Sequence, residues 1–338
     1  MFIIYKLITI LNLSIHNVEV FMLLSHVVSI KTFGTYFRSR SHDLIPVGVV
    51  KELYVYPIKS CKGISVFSFF CHRLGPISGE NFDRHFIVIC GKTSRFYTAR
   101  QKPIMVTISC EIRDGILSIS WKDKSFVFKK DCAKVNCRLH SGLRADGLDC
   151  GDEAAEFFSK AIEESDVRLL MYTEGLFNER TFIPNPAWWN NDVPKRMYNC
   201  AYADLAPYML TTQASLDDLN SKLESDVSNL NFRPVIVIDK CEAWDEDKWL
   251  DLQIGAVRLQ CFKPCTRCIL TTVNPATGTK DGGMQPLKKL RQFRLAPEGR
   301  MRDQFKDSPI FGVNAGVDKP GYIHVGQTVY ARYKKSPF

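Results

Sequence analysis

The chain has 338 residues, which is more than one ordinary domain needs and predicts about two domains. Its 45% hydrophobic and 24% charged residues are typical of a globular protein, so a mostly disordered chain, a collagen-like chain and a polytopic membrane protein are excluded. Lys and Arg number 45 against 36 Asp and Glu, a formal net charge of +9 that favours an acidic partner without requiring nucleic acid.

The amino-terminal 30 residues are strongly apolar, but polar positions interrupt them: Lys6, Asn12, His16, Asn17 and Glu19. A transmembrane helix needs about 18 or more uncharged apolar residues, and no window of this stretch reaches that length. A secretory signal places a small-residue cleavage site soon after its apolar core, and none is obvious here. Three interpretations stay open: a poor membrane anchor, a targeting segment, or an extension outside the folded unit, which is expected to begin near Pro46.

The first half of the chain is predicted to be rich in short strands. Runs of β-branched and aromatic residues occupy residues 47–58, 86–90, 106–112, 116–121 and 125–128. Their spacing of roughly ten residues indicates a small β-barrel or sandwich. A helix is predicted to follow, with Asp152 as its N-cap and apolar residues such as Phe158 and Ile162 at helical spacing.

The second half is predicted to mix helix, strand and irregular chain. Residues 173–206, rich in Asn, Pro and Trp, indicate a linker or a lid. A capping-box-like pattern at Ser215 predicts the start of a second helix. Further strands are predicted at residues 234–239, 256–262 and 322–329, with a basic helical or loop region at 286–294. The class is mixed and β-dominated.

Twelve cysteines are too few for a disulfide scaffold of this length and indicate reduced thiols in a cytosol-facing protein. The densest group is Cys261, Cys265 and Cys268. Cys265 and Cys268 form a CxxC pair, but a structural zinc site needs four ligands and the chain offers no second pair at a suitable spacing. A thioredoxin-type pair begins a helix, whereas a strand-like run follows Cys268. Three ordinary buried thiols therefore stay an open interpretation.

Cations beside turn residues form a second pattern. They are Lys59 and Lys62 near Ser60, then Arg84, Arg233 and Arg267, the last adjoining Cys268. Arginine is the preferred partner of a phosphate because its planar fork donates two parallel hydrogen bonds. A thiolate beside Arg267 is also favoured electrostatically. The residues permit a phosphorylated cofactor beside a soft thiolate, while each cation taken singly also fits a solvated surface charge.

Several longer motifs occur in one order and carry a resemblance. They span residues 56–63, 98–101, 214–220, 231–234, 265–273, 308–312 and 325–330. Together they closely resemble the mitochondrial amidoxime reducing component family of MOSC-domain molybdenum enzymes, from about residue 46 to the carboxyl terminus. No single one of these motifs would be enough to identify the family.

The resemblance implies a β-dominated α+β fold, with an N-terminal β-barrel-like MOSC-N domain and a MOSC β-barrel domain with flanking helices. Residues 1–45 would be an apolar anchor or targeting extension. Residues 46–172 would be the MOSC N-terminal domain with its helix, and residues 173–338 the MOSC domain that binds the molybdenum cofactor.

The resemblance also implies site residues. Cys268 matches the cysteine that ligates molybdenum and is the catalytic residue, in accord with the preference of soft thiolates for redox metals. The positions implied to bind the molybdenum–molybdopterin cofactor are Lys59, Ser60, Arg84, Asp204, Leu205, Ala206, Asn231, Arg233, Thr266, Arg267, Cys268 and Asn314. Family members carry Thr-Ser where this chain has Leu205 and Ala206, so a side-chain contact there is in doubt, whereas a backbone contact is not. Cys265 is interpreted as structural or as a neighbour of the ligand.

The activity implied is two-electron reduction of amidoximes, N-hydroxyguanidines and hydroxylamines, with nitrite as a further candidate. Electrons would come from NADH through cytochrome b5 reductase and cytochrome b5, and the chain has no GxGxxG pattern of its own after a strand. The +9 charge would favour encounter with acidic cytochrome b5. A monomer is expected at the outer mitochondrial membrane, facing the cytosol, attached through the N-terminal segment and without a nucleic-acid partner.

Two other functions compete. A carrier would bind the molybdenum cofactor and pass it on without turnover. A cofactor sulfurase would need a large pyridoxal-phosphate domain ahead of the MOSC part, for which 338 residues leave no room.

Overall fold

The computed structural model describes residues 44–122, 124–128, 134–139, 143–178, 181–182, 198–335 and 337. The expected anchor or targeting extension lies, up to residue 43, outside these residues, as does most of the expected lid between 183 and 197. In the part that is described, no helix has the length and apolar character needed to span a membrane. Ile45–Phe338 form one compact unit.

Strands dominate the described residues. In the first half they are β1 (Ile45–Val55), β2 (Ile64–Val66), β3 (Ser68–His72), β4 (Gly75–Ser78), β5 (Asn81–Phe82), β6 (Phe86–Cys90), β7 (Ser109–Arg113), β8 (Ile116–Trp121), β9 (Lys124–Phe128), β10 (Lys134–Arg138), β11 (Arg144–Asp149) and β12 (Val167–Met171). In the second half they are β13 (Thr181–Phe182), β14 (Tyr198–Asn199), β15 (Tyr208–Thr212), β16 (Ile236–Asp239), β17 (Trp249–Ile254), β18 (Val257–Thr266), β19 (Ile310–Lys319), β20 (Gly321–His324) and β21 (Thr328–Tyr333).

Four α-helices accompany them in the described residues: α1 (Asp152–Ile162), α2 (Gln213–Asn220), α3 (Leu287–Phe293) and α4 (Arg300–Phe305). The β-dominated mixed class predicted from the sequence is confirmed. Single turns of 3-10 helix connect several strands, and those at Asn229–Asn231, Asp245–Lys248 and Ile269–Thr272 bear on function below.

Seven strands close into a barrel. Their order is β16, β15, β19, β18, β17, β21 and β1, and β1 pairs back to β16 with Val49 opposite Asp239 and Leu53 opposite Ile236. The closed barrel encloses an apolar core that includes Leu53, Leu210 and Trp249. All the pairings are antiparallel except that of β15 with β16.

The first strand of the chain belongs to this barrel, whose other strands all follow residue 207. β2 extends the barrel sheet by pairing with the end of β1, and the other N-terminal strands form smaller sheets, ordered β10-β11-β12-β6, β7-β8-β9 and, with a late strand, β20-β3-β4-β5. Helix α1 buries Phe158 and Ile162 in a second core with Ile58 and Leu169. β1 ends at Val55, which lies in the barrel core, and Ile58 three residues later lies in the second core. One short segment of chain therefore contributes to both cores. The domain boundary at 172/173 stays a prediction.

Element ends differ from the sequence predictions for local reasons. Helix α2 begins at Gln213, because the Thr212 side chain caps it by accepting a hydrogen bond from the Ser215 backbone N–H at 3.2 Å. The predicted start at Ser215 is therefore wrong, and Ser215 lies buried inside the helix. In the same way Gly151, and not Asp152, is the N-cap of α1.

Three predicted strands were wrong in part. Residues 269–273 contain a 3-10 turn at Ile269–Thr272, in which the Thr271 and Thr272 hydroxyls each donate to the backbone carbonyl three residues earlier in the chain. Residues 322–329 divide into β20 and β21 around Gly326, whose φ of 88° turns the chain. The strand predicted from residue 106 begins only at Ser109, after the 3-10 turn Pro103–Thr107.

Candidate functional site

Segments predicted separately from the sequence meet where β1 ends. The Arg84 backbone N–H donates to the Tyr56 carbonyl at 2.7 Å, and the Phe86 N–H donates to the Pro57 carbonyl at 3.0 Å. The Tyr202 N–H in turn donates to the Arg84 carbonyl at 3.1 Å. These backbone bonds bring the residues around 56–60, 83–86 and 202–204 together.

The buried ring of Tyr56 contacts two guanidinium groups. The Cζ atom of Arg84 is 4.3 Å from the ring centroid, and that of Arg233 is 4.4 Å from it. Arg84 Nη2 also donates to the Arg233 carbonyl at 3.4 Å. Cation–π contacts to one ring therefore join two residues that are 149 positions apart in the sequence.

The two arginines differ in their anionic partners. Arg84 Nη1 donates to both carboxylate oxygens of Asp83, at 2.7 and 2.6 Å. Arg233 makes no ion pair with a carboxylate of the described residues, and its Nη2 is buried without a hydrogen-bond partner. Burial, and to a smaller extent the like charge of Arg84, lowers the pKa of Arg233. A guanidinium does not deprotonate in proteins, so a bound anion is the direct way to offset this cost.

Three of the predicted site residues have left-handed backbone. The φ angles are 70° at Ser60, 49° at Arg84 and 55° at Arg233. This region is uncommon for residues other than glycine, and such strained residues cluster at functional sites. The backbone at these positions therefore supports a binding role for the group.

Lys59 links the end of β1 to the segment at 202–204. Its Nζ donates to the Tyr202 carbonyl and to Asp204 Oδ1, both at 2.6 Å. The Lys59 side chain is 6% exposed and that of Asp204 is 63% exposed, so the charge of the lysine is balanced from the surface. Leu205 and Ala206 are half-buried, and Ala206 packs against the apolar cluster around Phe262.

Only one thiol of the CxxC region is freely accessible. Cys268 follows β18 directly, and it is the exposed cysteine among the eleven in the described residues. Cys261 lies in the barrel core, where burial raises the pKa of its thiol. Cys265 is half-buried, with its Sγ 3.9 Å from the Thr266 carbonyl oxygen. The interpretation as three equally buried thiols is therefore wrong for Cys268.

The described residues contain no group of three or more His, Cys, Asp and Glu side chains able to hold a metal. Cys132, one of the candidates for a second thiol pair, lies outside these residues, whereas Cys137 is buried among apolar side chains. A metal at Cys268 would thus take its other ligands from a non-protein group or from water.

Arg267 anchors the chain immediately before Cys268. Its backbone N–H donates to the Pro309 carbonyl at 2.8 Å. Its buried guanidinium donates through Nε to the Phe311 carbonyl at 2.8 Å and through Nη1 to the Phe232 carbonyl at 2.9 Å. In this structure the Arg267 side chain thus binds backbone carbonyls of neighbouring segments, and its contact with a cofactor stays a prediction.

Gly312 makes room for that guanidinium. Its φ is +82°, and a Cβ atom there would lie 2.4 Å from the Leu210 carbonyl oxygen and 3.3 Å from Arg267 Nη2. A larger residue would displace the strand or the arginine, so glycine at this position belongs to the architecture of the Cys268 loop.

The other predicted residues lie around the same loop. Thr266 ends β18 and is half-buried, and the buried Asn314 donates from Nδ2 to the Pro264 carbonyl at 3.3 Å across the β18–β19 pair. Asn231 contacts the loop on its far side through Thr271 and Val273. Their roles toward a ligand stay predictions. Sequence reasoning missed Tyr56, although it stands within the motif at 56–63, and it missed Asp83, which directly precedes the predicted Arg84.

Comparisons with known proteins agree with this architecture. The model of the MOSC N-terminal beta barrel domain matches residues 47–165, and the MOSC domain model matches residues 198–330. The chain is 37% identical over 295 residues to mitochondrial amidoxime reducing component 2 of Bos taurus, covering 86% of this chain and 85% of that protein. It is 37% identical over 296 residues to component 1 of Mus musculus and 36% identical over 296 residues to component 1 of Homo sapiens, each over 86% of this chain and over 84% and 85% of the relative.

Proposed function

The chain belongs to the family of the mitochondrial amidoxime reducing components, with MOSC N-terminal and MOSC domains, and from this we propose that it is a molybdenum-cofactor-dependent oxidoreductase. Its substrates are N-hydroxylated compounds: amidoximes, N-hydroxyguanidines, hydroxylamines and, as a further candidate, nitrite. The observation that carries the proposal is the accessible Cys268 thiol on a loop whose neighbouring turn is followed by Arg233, which has a buried Nη2 without a hydrogen-bond partner and makes no ion pair with a carboxylate of the described residues.

The residues present fit such a cofactor. A thiolate is a soft ligand suited to a redox metal, and an accessible cysteine without further protein ligands in the described residues leaves coordination positions for a dithiolene and oxygen groups. Arg233, Arg84 and Lys59 would hold the anionic pterin phosphate, with Arg233 gaining its missing counter-charge. When bound, the cofactor supplies two-electron redox chemistry.

The chain's own contribution is positioning. For the N-hydroxylated substrates, the overall reaction breaks the N–O bond with two electrons and two protons, and it yields an amidine, a guanidine or an amine, together with water. Cys268 would be the protein ligand of the metal, and the arginine–tyrosine stack would orient the pterin. At Leu205 and Ala206 the backbone would make the contacts, because Ala206 is packed against an apolar cluster.

We also propose NADH, cytochrome b5 reductase and cytochrome b5 as the electron supply, and the outer mitochondrial membrane as the location, since the relatives are named mitochondrial. A cleft of about 1290 Å³ beside the turn at Asn231 supports an acidic donor. Five lysines line it against three carboxylates: Lys62, Lys222, Lys280, Lys288 and Lys289 against Glu224, Asp226 and Asp281.

Charge reversal tests this cleft. The double substitution Lys280→Glu and Lys288→Glu is expected to slow reduction by cytochrome b5 at least tenfold at low salt, because electrostatic steering governs the encounter rate. The matched control is Lys122→Glu with Lys319→Glu, an equal charge change at exposed positions that do not line the cleft. Equal slowing in both double variants would show that only the net charge matters.

Turnover tests the function itself. Purified holoprotein given benzamidoxime, cytochrome b5, its reductase and NADH is expected to produce benzamidine. A second assay with a chemical reductant in place of the proteins separates a wrong donor from a wrong activity. Full metal loading without turnover in either assay would contradict the reductase and leave the alternative, a cofactor carrier.

A further inference from the structure

Asn231 lies between the two parts of the candidate site. It ends the 3-10 turn Asn229–Asn231, two residues before Arg233, and it is 9% exposed. Its side chain faces the loop that begins at Cys268. The sequence resemblance counts it among the cofactor-binding positions, but its contacts in the structure indicate a different task.

The hydrogen-bonding capacity of the Asn231 carboxamide is fully used within the protein. Nδ2 donates to the Thr271 carbonyl at 3.1 Å and to the Val273 carbonyl at 3.3 Å. Oδ1 accepts from the Ser228 backbone N–H at 3.1 Å and from the Ser228 hydroxyl at 3.2 Å. A carboxamide has two N–H donors and two acceptor lone pairs, so no polar atom of this side chain is left for a ligand.

The carbonyls that Asn231 binds belong to the turn that fixes Cys268. The Thr271 N–H donates to the Cys268 carbonyl at 3.1 Å, and the Thr271 hydroxyl donates to the same oxygen at 3.0 Å. Thr271 and Val273 are 3% and 2% exposed, so without Asn231 their carbonyls would lose a partner away from solvent. The path of contacts therefore runs from Asn231 through Thr271 to Cys268.

The same turn carries Arg233, and a second bond runs in parallel. Arg267 Nη1 donates to the Phe232 carbonyl, which lies between Asn231 and Arg233. Residues on both sides of Cys268 are thus tied to the short segment 231–233. We propose that Asn231 is a positioning residue that holds the Cys268 loop in register with the Arg233 guanidinium, and that it does not itself contact the cofactor.

The effect of Asn231 on catalysis rests on the proposed function, because the relative position of Cys268 and Arg233 matters for activity only if both hold one cofactor. The effect of Asn231 on the geometry of the Cys268 loop does not depend on the proposed function. The experiment therefore needs one measurement on the loop without metal and one on the loaded protein.

The substitution Asn231→Asp keeps size and the acceptor oxygen but places a second acceptor against two carbonyls. Asn229→Asp is the matched control, since Asn229 is in the same turn and 5% exposed but bonds Gln213 Oε1 at 3.1 Å and Glu52 Oε2 at 3.5 Å. Thr271→Val is a milder variant that deletes only the hydroxyl bond to Cys268.

In the full chain without metal, Asn231→Asp is expected to speed amide hydrogen exchange at Thr271 at least tenfold, which corresponds to about 1.4 kcal/mol at 25 °C. The alkylation rate of Cys268 by iodoacetamide is expected to rise severalfold, and Thr271→Val should give an intermediate change. The Asn229 control should leave both rates near those of the parent protein even if its melting temperature falls.

In the loaded protein, Asn231→Asp is expected to lower kcat more than it raises KM, and to change the electron paramagnetic resonance spectrum of the metal. Equal effects of the two Asn→Asp variants on exchange and alkylation would overturn the proposal and make Asn231 an ordinary stabilising residue. If Asn231→Asp fails to fold, an unchanged alkylation rate in Thr271→Val would overturn it. Loop changes as expected in a chain that never binds molybdenum would contradict the proposed function alone.

Discussion

Buried charge is handled differently at the acidic turn Asp245–Lys248 and at the arginine–tyrosine stack. At the turn, charges are met by protein partners. Asp245 Oδ2 accepts from Trp249 Nε1 at 3.0 Å and from the Tyr333 hydroxyl at 2.5 Å, and Asp247 Oδ2 is 2.7 Å from Arg294 Nη2. At the stack, Arg84 has Asp83, but Arg233 has no such partner among the described residues.

Glu246, in the same acidic turn, is stabilised in its buried position without a cationic partner among the described residues. It accepts hydrogen bonds from the Thr212 and Ser215 hydroxyls at 3.0 and 2.8 Å, while its other oxygen has no partner. Burial, followed by the nearby Asp247 carboxylate, raises the pKa of Glu246 to about 7. A carboxylate can thus discharge itself by binding a proton, which a guanidinium cannot do by losing one.

This difference distinguishes charged side chains that stabilise the fold, as in the acidic turn, from a charged side chain that is suited to bind an anionic ligand, as at Arg233. In the acidic turn, Asp245 and Asp247 are paired within the protein, although one oxygen each of Glu246 and Asp247 is buried without a hydrogen-bond partner among the described residues, so changes there should act on stability. The Arg233 side chain is incomplete, so its changes should act on binding. Three substitutions test the contrast, and they follow in order of expected effect on the free energy of unfolding.

The largest effect is expected for Arg294→Met. The substitution leaves the buried Asp247 carboxylate without its cation and removes the stacking of Arg294 on Trp244, whose ring centroid is 4.0 Å from Cζ. Breaking one side of a buried pair costs about 3–5 kcal/mol, measurable by denaturant unfolding. A loss below about 1 kcal/mol would mean that the pair is not a structural element.

An intermediate, pH-dependent effect is expected at Glu246. Because its pKa in the folded chain, about 7, exceeds the ordinary value of 4.5, the unfolded chain ionises first as pH rises. Stability should therefore fall between about pH 4.5 and 7, by at most about 1.4 kcal/mol per pH unit.

Glu246→Gln should flatten this dependence, because the amide oxygen still accepts the two hydroxyl bonds and no ionisation occurs. Unfolding measured at pH 5 and pH 8 gives the difference, with the exposed Glu224→Gln as the control. An unchanged slope in Glu246→Gln would assign the pH dependence to other groups.

The smallest effect on stability is expected for Arg233→Met. It removes a cation that has a buried Nη2 and no carboxylate partner among the described residues, so the lost stacking on Tyr56 is offset by relief of desolvation, and the net change should be about 1 kcal/mol or less. Pterin retained per chain should nevertheless fall at least tenfold. Strong destabilisation with full pterin retention would reverse the contrast between the two regions.

How much could be predicted from sequence depended on how local the determinant is. Strand β8 was predicted with its bounds, because alternation and flanking turn residues are written within a few positions. The start of α2 was not, since Thr212 ends a strand and caps the helix at the same time. Closure of the barrel by β1 depends on a pairing with residues near 236–239, which no local pattern reports.

For the candidate site, too, only the local determinants could be predicted from the sequence. The residues alone left open whether the three thiols are all buried or whether Cys268, beside Arg267, is reactive, and only the resemblance assigned the metal to Cys268. What distinguishes it physically is that β18 continues to Thr266, which keeps Cys261 in the core and leaves Cys268 beyond the strand end. The unpaired state of Arg233 and the saturation of Asn231 are long-range properties, visible only when distant segments are placed together.

The central claim is that Cys268 is the protein ligand of a molybdenum cofactor, and molybdenum and pterin content per chain tests it most directly. Parent protein and a Cys265→Ser variant are expected to carry one molybdenum and one pterin per chain, whereas Cys268→Ser should lose the metal. Full molybdenum occupancy in Cys268→Ser, or its loss in Cys265→Ser with Cys268 intact, would contradict the account.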